Sequence, residues 1–383
     1  MSNPTVSEPA VRDEPLQLHR LTADAVLSLV CSAAGALALV WLLYERLLPF
    51  TGLVGFWLCW YVVFLLLYGL VSAARWGRRV LVDRVAGVAL ATGGLLVLVV
   101  VVAQIGYTVY RGTPALRHGN FFTETMGITG PLDPLTSGGV LHALIGSLEQ
   151  LGLATLFSVP LGVLAALFLA EIGGSLARPV RVIVEAMTAL PEIIAGLFIY
   201  AVVILTLGLE QSGFAASLAL TVMMIPIVTR ASEVMLRLVP NGLREASYAL
   251  GASQWRTVWN VVLPTARSGL GTAVVLAMAR AVGETAPVLL ASGFTKELNS
   301  DPFTGPQLSL PLYIWNYVRY PQPDMVARAF GAGLALMIAV LALFVLARII
   351  GGGTPGELTR RQQRRMARDA AAYRHDRQPV ESS

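Results

Sequence analysis

The sequence predicts an all-α integral membrane protein of about eight transmembrane helices, and three observations lead there. Of 383 residues, 55% are hydrophobic and only 13% are charged, against roughly 25% charge in soluble domains. Mean hydropathy is +0.67. Several apolar runs are long enough for the roughly 20 helical residues that cross a hydrocarbon layer about 30 Å thick. Because unpaired backbone in lipid leaves only helices or closed barrels, continuous apolar runs select helices.

The expected spans are 23–44, 53–73, 85–107, 140–170, 182–207, 214–236, 269–292 and 326–350. Two are longer than a crossing requires and are expected to tilt or project. The N-terminus is mixed in charge and the first apolar run leads to the second without a small-residue cleavage site, so the first span is expected to remain. Arginine sets the orientation, since basic residues in short loops mark the cytoplasmic side. Arg75, Arg78, Arg79 and Arg84 follow span two; Arg178 and Arg181 follow span four; Arg237, Arg244, Arg256 and Arg267 follow span six. Seven further arginines, from Arg360 to Arg377, crowd the tail.

Both termini are therefore expected in the cytoplasm. The chain divides into a cytoplasmic tail 1–22, a three-helix membrane region 23–107, an extracytoplasmic loop 108–138, a five-span core 139–350 with a cytoplasmic loop 238–266, and a basic cytoplasmic tail 351–383. The net charge of +5 is mostly this topology signal. Nucleic-acid binding would need a basic face on a soluble domain, which is absent. The tail reads as a contact with membrane lipid or as a solvated segment. Cys31 and Cys59 fall inside spans and read as small apolar packing residues.

Missing chemistry narrows the function. Lys296 is the single lysine, so a phosphate-cradling GxxxxGK[ST] loop is impossible. His19, His118, His142 and His375 lack metal-ligand spacing, and there is no GxSxG elbow. No catalytic site, metal site or bound cofactor is expected, and energy for any pumping must come from another subunit or an ion gradient.

The cytoplasmic loop between spans six and seven carries helical signals. Leu243, Ala246 and Leu250 form an apolar stripe ended by Gly251, and Trp255, Val258, Trp259 and Val262 share a second face before Pro264. This reads as a short helix, a break, and an amphipathic helix along the membrane surface. Its spacing, Glu245-Ala246-Ser247, then Gly251, then Val261, Val262, Leu263-Pro264, resembles the EAA motif of ABC importer permeases, with Ser247 and Val261 as conservative departures. The resemblance implies a coupling helix for an ATP-hydrolysing subunit, carried by Arg244, Glu245, Ala246, Ser247, Leu250 and Gly251.

In span seven, Arg280 and Glu284 stand four residues apart in ARAVGETAP, on one helix face where an ion pair can form. Each such charge in lipid costs at least about 2.5–3.5 kcal/mol, so both are expected to face the bundle interior or a polar path. A structural pair locking the bundle is the alternative. Over 139–350 the chain resembles the PstA-type phosphate permeases, on Pro160-Leu161-Gly162, Gly196-Leu197-Phe198-Ile199-Tyr200, Ile225 to Arg230, Leu238-Val239-Pro240 and ARAVGETAP.

That resemblance implies a permease core and a phosphate pathway lined by Arg280, Glu284 and Arg230. It further implies a second, PstC-type permease as heterodimer partner, two ATP-binding subunits that use ATP and Mg, an extracytoplasmic phosphate-binding protein, and a bacterial plasma-membrane location. Permeases for other oxyanions, such as sulfate or molybdate, and a non-transporting membrane scaffold are the rival readings. Pro191, Gly196 and Pro226 are candidates for gating bends. Glu192 departs from the serine usual in the family and is expected to pair with an arginine, Arg230 being the candidate; spans one and two exceed the single N-terminal span typical of it.

Overall fold

The structure is a computed structural model that describes residues 23–47 and 52–351, and the expected tails, with their arginine cluster, lie outside the described residues. Twelve principal helices run α1 Ala23–Arg46, α2 Leu53–Trp76, α3 Arg78–Leu116, α4 Leu141–Ile172, α5 Ala177–Ala189, α6 Glu192–Thr206, α7 Gly213–Arg237, α8 Asn241–Ala249, α9 Gln254–Ala281, α10 Ala286–Ala291, α11 Leu310–Tyr317 and α12 Pro323–Gly351. Among the described residues, seven helices are long and apolar enough to cross a membrane, or eight if the bent pair α5–α6 is one span. The chain forms two compact units, 1–104 and 105–383.

In the first unit α1 and α2 form a hairpin. Ala36, Phe64 and Tyr68 are its buried centre, and the Trp60 indole N–H donates to the Ala33 carbonyl at 3.1 Å. A ladder of rings, Trp57, Trp60, Phe64 and Tyr68, runs up α2 at the i, i+3 and i+4 spacings that share one helix face. The arginines expected in a loop after span two are instead helical: only Gly77 separates α2 from α3, and Arg78, Arg79 and Arg84 lie in the first two turns of α3.

The second unit is built round α7, the most enclosed of the long helices. Its buried face is small, with Ala215, Ala216, Ser217 and Ala219, which lets α4, α5, α6, α9 and α10 approach closely; helices in lipid associate through such packing rather than through a hydrophobic drive. One end is roofed by the 120–140 loop, residues 293–309 and α11. There the fully buried Arg328 of α12 donates to the carbonyls of Asp133, Pro134 and Ser137, at 3.1, 2.7 and 2.8 Å. Burial raises the phenol pKa of Tyr313 and Tyr317 on α11.

Two expected spans are broken. The run 182–207 is not one helix: α5 and α6 meet at 103° across Leu190-Pro191. Proline has no N–H to continue the ladder and restricts the residue before it to extended backbone, and Leu190 is extended. The run 269–292 is likewise interrupted. Its helix begins at Gln254, passes straight through Pro264 and ends at Ala281, so no separate surface helix precedes it. Pro226, by contrast, is buried inside an unbroken α7.

Candidate functional site

The breaks bring charges together. Arg280 occupies the last turn of α9, where a cation complements the exposed carbonyls, and Glu192 the first turn of α6, where an acid complements the free N–H groups. The Arg280 Nη2 donates to Glu192 Oε1, a contact between residues 88 apart in sequence. Glu284 Oε1 lies 4.0 Å from the same nitrogen. Glu284 is in the non-helical turn between α9 and α10, its amide donating to the Ala281 carbonyl at 3.1 Å. The expected shared helix face therefore ends at Ala281, and Glu284 approaches from the turn.

Arg280 and Glu192 are exposed while Glu284 is largely buried, with side-chain exposures of 57%, 41% and 12%. The guanidinium thus faces open space with one carboxylate beside it and one behind. Both acids approach the same nitrogen, Nη2, and the rest of the half-exposed guanidinium is turned to open space. Arg280 stands about 26 Å along the helix axis from Leu263, too deep for the side chain to snorkel back to that end. Gly196 allows this assembly: a Cβ there would sit 2.6 Å from the Pro287 backbone, where α6 crosses α10. Pro191, Glu192 and Gly196 accordingly cluster at the bend, and Pro226 does not join them.

Arg230 is placed elsewhere. Glu192 takes Arg280 rather than the expected Arg230, whose nearest acid is Glu185 of α5 at 3.6 Å. Glu233 of α7 binds Arg181 at 3.1 Å and Arg237 at 2.7 Å. These contacts form a ladder tying α5 to the arginine-rich end of α7. Glu185 and Glu233 were not singled out from sequence. The four-residue spacing of Glu233 from Arg237 is a signal that marks that pair, whereas the equal spacing of Glu185 from Arg181 points to the wrong partner, since Glu185 meets Arg230.

The second candidate surface is α8. None of its residues is buried. Leu243, Glu245, Ala246, Tyr248 and Leu250 face outward, Leu250 at 88% exposure. The helix stops where Gly251 takes φ +79°, the left-handed conformation that costs other residues about 1–2 kcal/mol. Ser247 faces inward, its hydroxyl 2.8 Å from the Thr257 hydroxyl.

Arg244 also turns inward, which sequence reading missed by grouping it with the outward coupling residues. Its guanidinium meets Glu171 of α4 through two bonds, Nε to Oε2 at 3.2 Å and Nη2 to Oε1 at 2.7 Å, and donates to the Leu236 and Val239 carbonyls at 2.9 and 2.5 Å. Gln254 adds a bond to the Glu171 carbonyl at 2.5 Å. This planar fork on a carboxylate is the geometry that arginine alone supplies. The tryptophans differ too: Val258 and Val262 are buried, whereas Trp255 and Trp259 stack edge to face on the outside. The wide turn across Val258–Val262 splits the expected apolar face in two.

Residues 158–353 match the family described as binding-protein-dependent transport system inner membrane component. Over 274 residues the chain is 40% identical to phosphate transport system permease protein PstA 1 of Mycobacterium tuberculosis, covering 71% of this chain and 88% of the relative. It is 40% identical over 267 residues to PstA of Mycobacterium leprae, covering 70% and 87%. PstA of Pasteurella multocida is 36% identical over 241 residues, covering 62% and 83%.

Proposed function

This chain belongs to the family of binding-protein-dependent transport inner membrane components, among the PstA permeases, and on that premise we propose that it is a membrane-spanning subunit of an ATP-driven phosphate importer. The observation that carries the reading is the pair of broken helices that bring Arg280 of α9 against Glu192 of α6. In membrane transporters, irregular backbone and charge at membrane depth belong to a polar path rather than to lipid.

The arginine-rich ends of α5, α7 and α9 lie in the cytoplasm, as do both termini. There α8 fits a groove on an ATP-binding subunit, which supplies hydrolysis of ATP with Mg. Two copies of that subunit, a PstC-type permease beside this chain and an extracytoplasmic phosphate-binding protein complete the importer. ATP-driven closure moves α8, and the Arg244–Glu171 staple passes the motion to α4, which packs along α7. Rearrangement of α5, α6 and α9 alternates access to the path. Phosphate leaves the binding protein, displaces Glu192 from Arg280, and passes Arg230 towards the cytoplasm. Glu284 holds the guanidinium in place while the exchange occurs.

Retention of an acid beside the anion contact suits a path, since an ion must leave as readily as it enters. Glu192→Gln keeps a hydrogen bond to Arg280 but removes its charge, worth about 1 kcal/mol of difference. Phosphate binding to the solubilised complex, measured without the extracytoplasmic binding protein, should then tighten about five-fold. Unchanged binding would count against competition between Glu192 and phosphate.

Reconstituted vesicles test the assignment: the assembled complex should take up labelled phosphate under ATP in preference to sulfate or molybdate. A complex that binds its ATPase yet moves no phosphate overturns the reading. Glu245→Lys places the wrong charge on the outward face of α8 and should weaken ATPase docking at least about ten-fold by pull-down. Full docking and full transport in that variant would remove α8 from the coupling role.

A further inference from the structure

The hairpin of the first unit carries a half-open cavity of about 280 Å³ between α1 and α2. Leu27, Leu67 and Val71 form its apolar wall, Cys31 and Ser32 line its α1 side, and Arg75 stands at the end of α2. Ser28 also lines it, but its hydroxyl is engaged with the Ala25 carbonyl at 2.9 Å. The Ser32 hydroxyl is buried without a partner. One helical turn, about 6 Å, separates Ser28 from Ser32.

Charge gathers at the mouth. Arg75 is followed by Arg78 and Arg79, and among the described residues no carboxylate comes within ion-pair distance of any of them. Arg84 lies over the Trp76 ring at 3.9 Å, and Arg75 is 5.9 Å from the same ring. A guanidinium cluster that the chain does not neutralise, at the end of a membrane hairpin, attracts lipid anions; basic pockets between membrane helices hold anionic headgroups in this way.

We propose that the α1–α2 hairpin carries a site for one anionic phospholipid, its phosphate on Arg75, its glycerol ester accepting from Ser32 and its first methylenes against Leu27, Leu67 and Val71. The cavity is below the roughly 300–1,000 Å³ of sites that enclose a whole ligand, which suits a lipid whose remaining chain stays in the bilayer. Inorganic phosphate would leave the apolar wall and the Ser32 hydroxyl unused. A zwitterionic lipid would bring its own cation to the arginines.

The test uses the full-length chain in its membrane complex, exchanged into phosphatidylcholine and titrated with phosphatidylglycerol, with retained lipids counted by native mass spectrometry. One phosphatidylglycerol should be retained in preference to phosphatidylcholine. Arg75→Gln should lower that preference about five-fold, the worth of one arginine at an anionic lipid surface. Cys31→Phe, which fills the cavity and keeps every charge, should abolish retention, whereas Arg78→Gln, at a residue that does not line the cavity, should lower it by less than Arg75→Gln does. Loss with Arg78→Gln as large as with Arg75→Gln would overturn the proposal in favour of a diffuse basic field. Retention that survives Cys31→Phe, or that 10 mM inorganic phosphate displaces, would also overturn it.

Discussion

Replacement of Arg280 by alanine is expected to abolish ATP-driven phosphate uptake, by at least about 100-fold, while the complex still assembles. The magnitude follows from the bonds that alanine cannot make: hydrogen bonds to charged groups contribute about 1.5–3 kcal/mol each, and a guanidinium offers a phosphate two of them. Assembly should survive because Arg280 is more than half exposed and, among the described residues, its ion pairs reach only Glu192 and Glu284; exposed pairs contribute about 1 kcal/mol or less to folding. The variant leaves two acids facing one another, so Arg280→Ala with Glu192→Gln serves as the control. Uptake should be absent in both, with normal amounts of complex by size exclusion. Arg280→Lys should retain part of the uptake, because a point charge replaces the fork. Normal transport by the alanine variant would remove Arg280 from the path, and failure of both variants to assemble would make the pair structural.

Arg244→Ala should uncouple hydrolysis from transport rather than prevent docking. Its fork holds α8 to Glu171 with little solvent access, and removing one partner of a buried pair costs about 3–5 kcal/mol. That is more than an exposed helix of nine residues can replace from its own propensity. The ATPase should still bind α8, whose outward face is unchanged, but movement of α8 would no longer be passed to α4. Transport per ATP hydrolysed should fall more than about ten-fold, with hydrogen exchange of residues 241–253 accelerated by a similar factor. Glu171→Ala should do the same, and the double variant should be no worse than either single one, since both remove one interaction. Protected α8 amides in Arg244→Ala would sink this account.

The contrast between Arg244 and Glu245 explains what could be read in advance. Spacing alone located α8, its stop at Gly251 and the resumption of helix, because those signals are local, a stripe and a left-handed glycine; Pro264, read as the limit of the second helix, lies inside α9. Spacing did not tell which polar residue of α8 faces in, because that depends on Glu171, 73 residues away. The same limit governs Arg280. The free-energy cost of a charge in lipid marked it as exceptional, and Glu192 was conspicuous as an acid among apolar neighbours, yet only the folded chain joins them. Hydropathy found the membrane runs but carries no direction, so the run 182–207 gave no measure of its bend beyond the presence of Pro191. Partners for Arg230 were obscured by the same distance in sequence.

On the proposed function, the 103° bend at Leu190-Pro191 would act mechanically as an elbow. Pro191 has no N–H to give across it, and the Pro191 carbonyl accepts from Ile194 on the α6 side, at 2.9 Å. Flexing the joint therefore need not break those bonds. One limb, α5, is fastened to α7 by the acids and arginines of its exposed face; the other, α6, is pressed against α10 at Gly196. On the proposed function, torque applied at α5 would be delivered at Glu192, the first residue beyond the joint, and hence at the hand that grips Arg280.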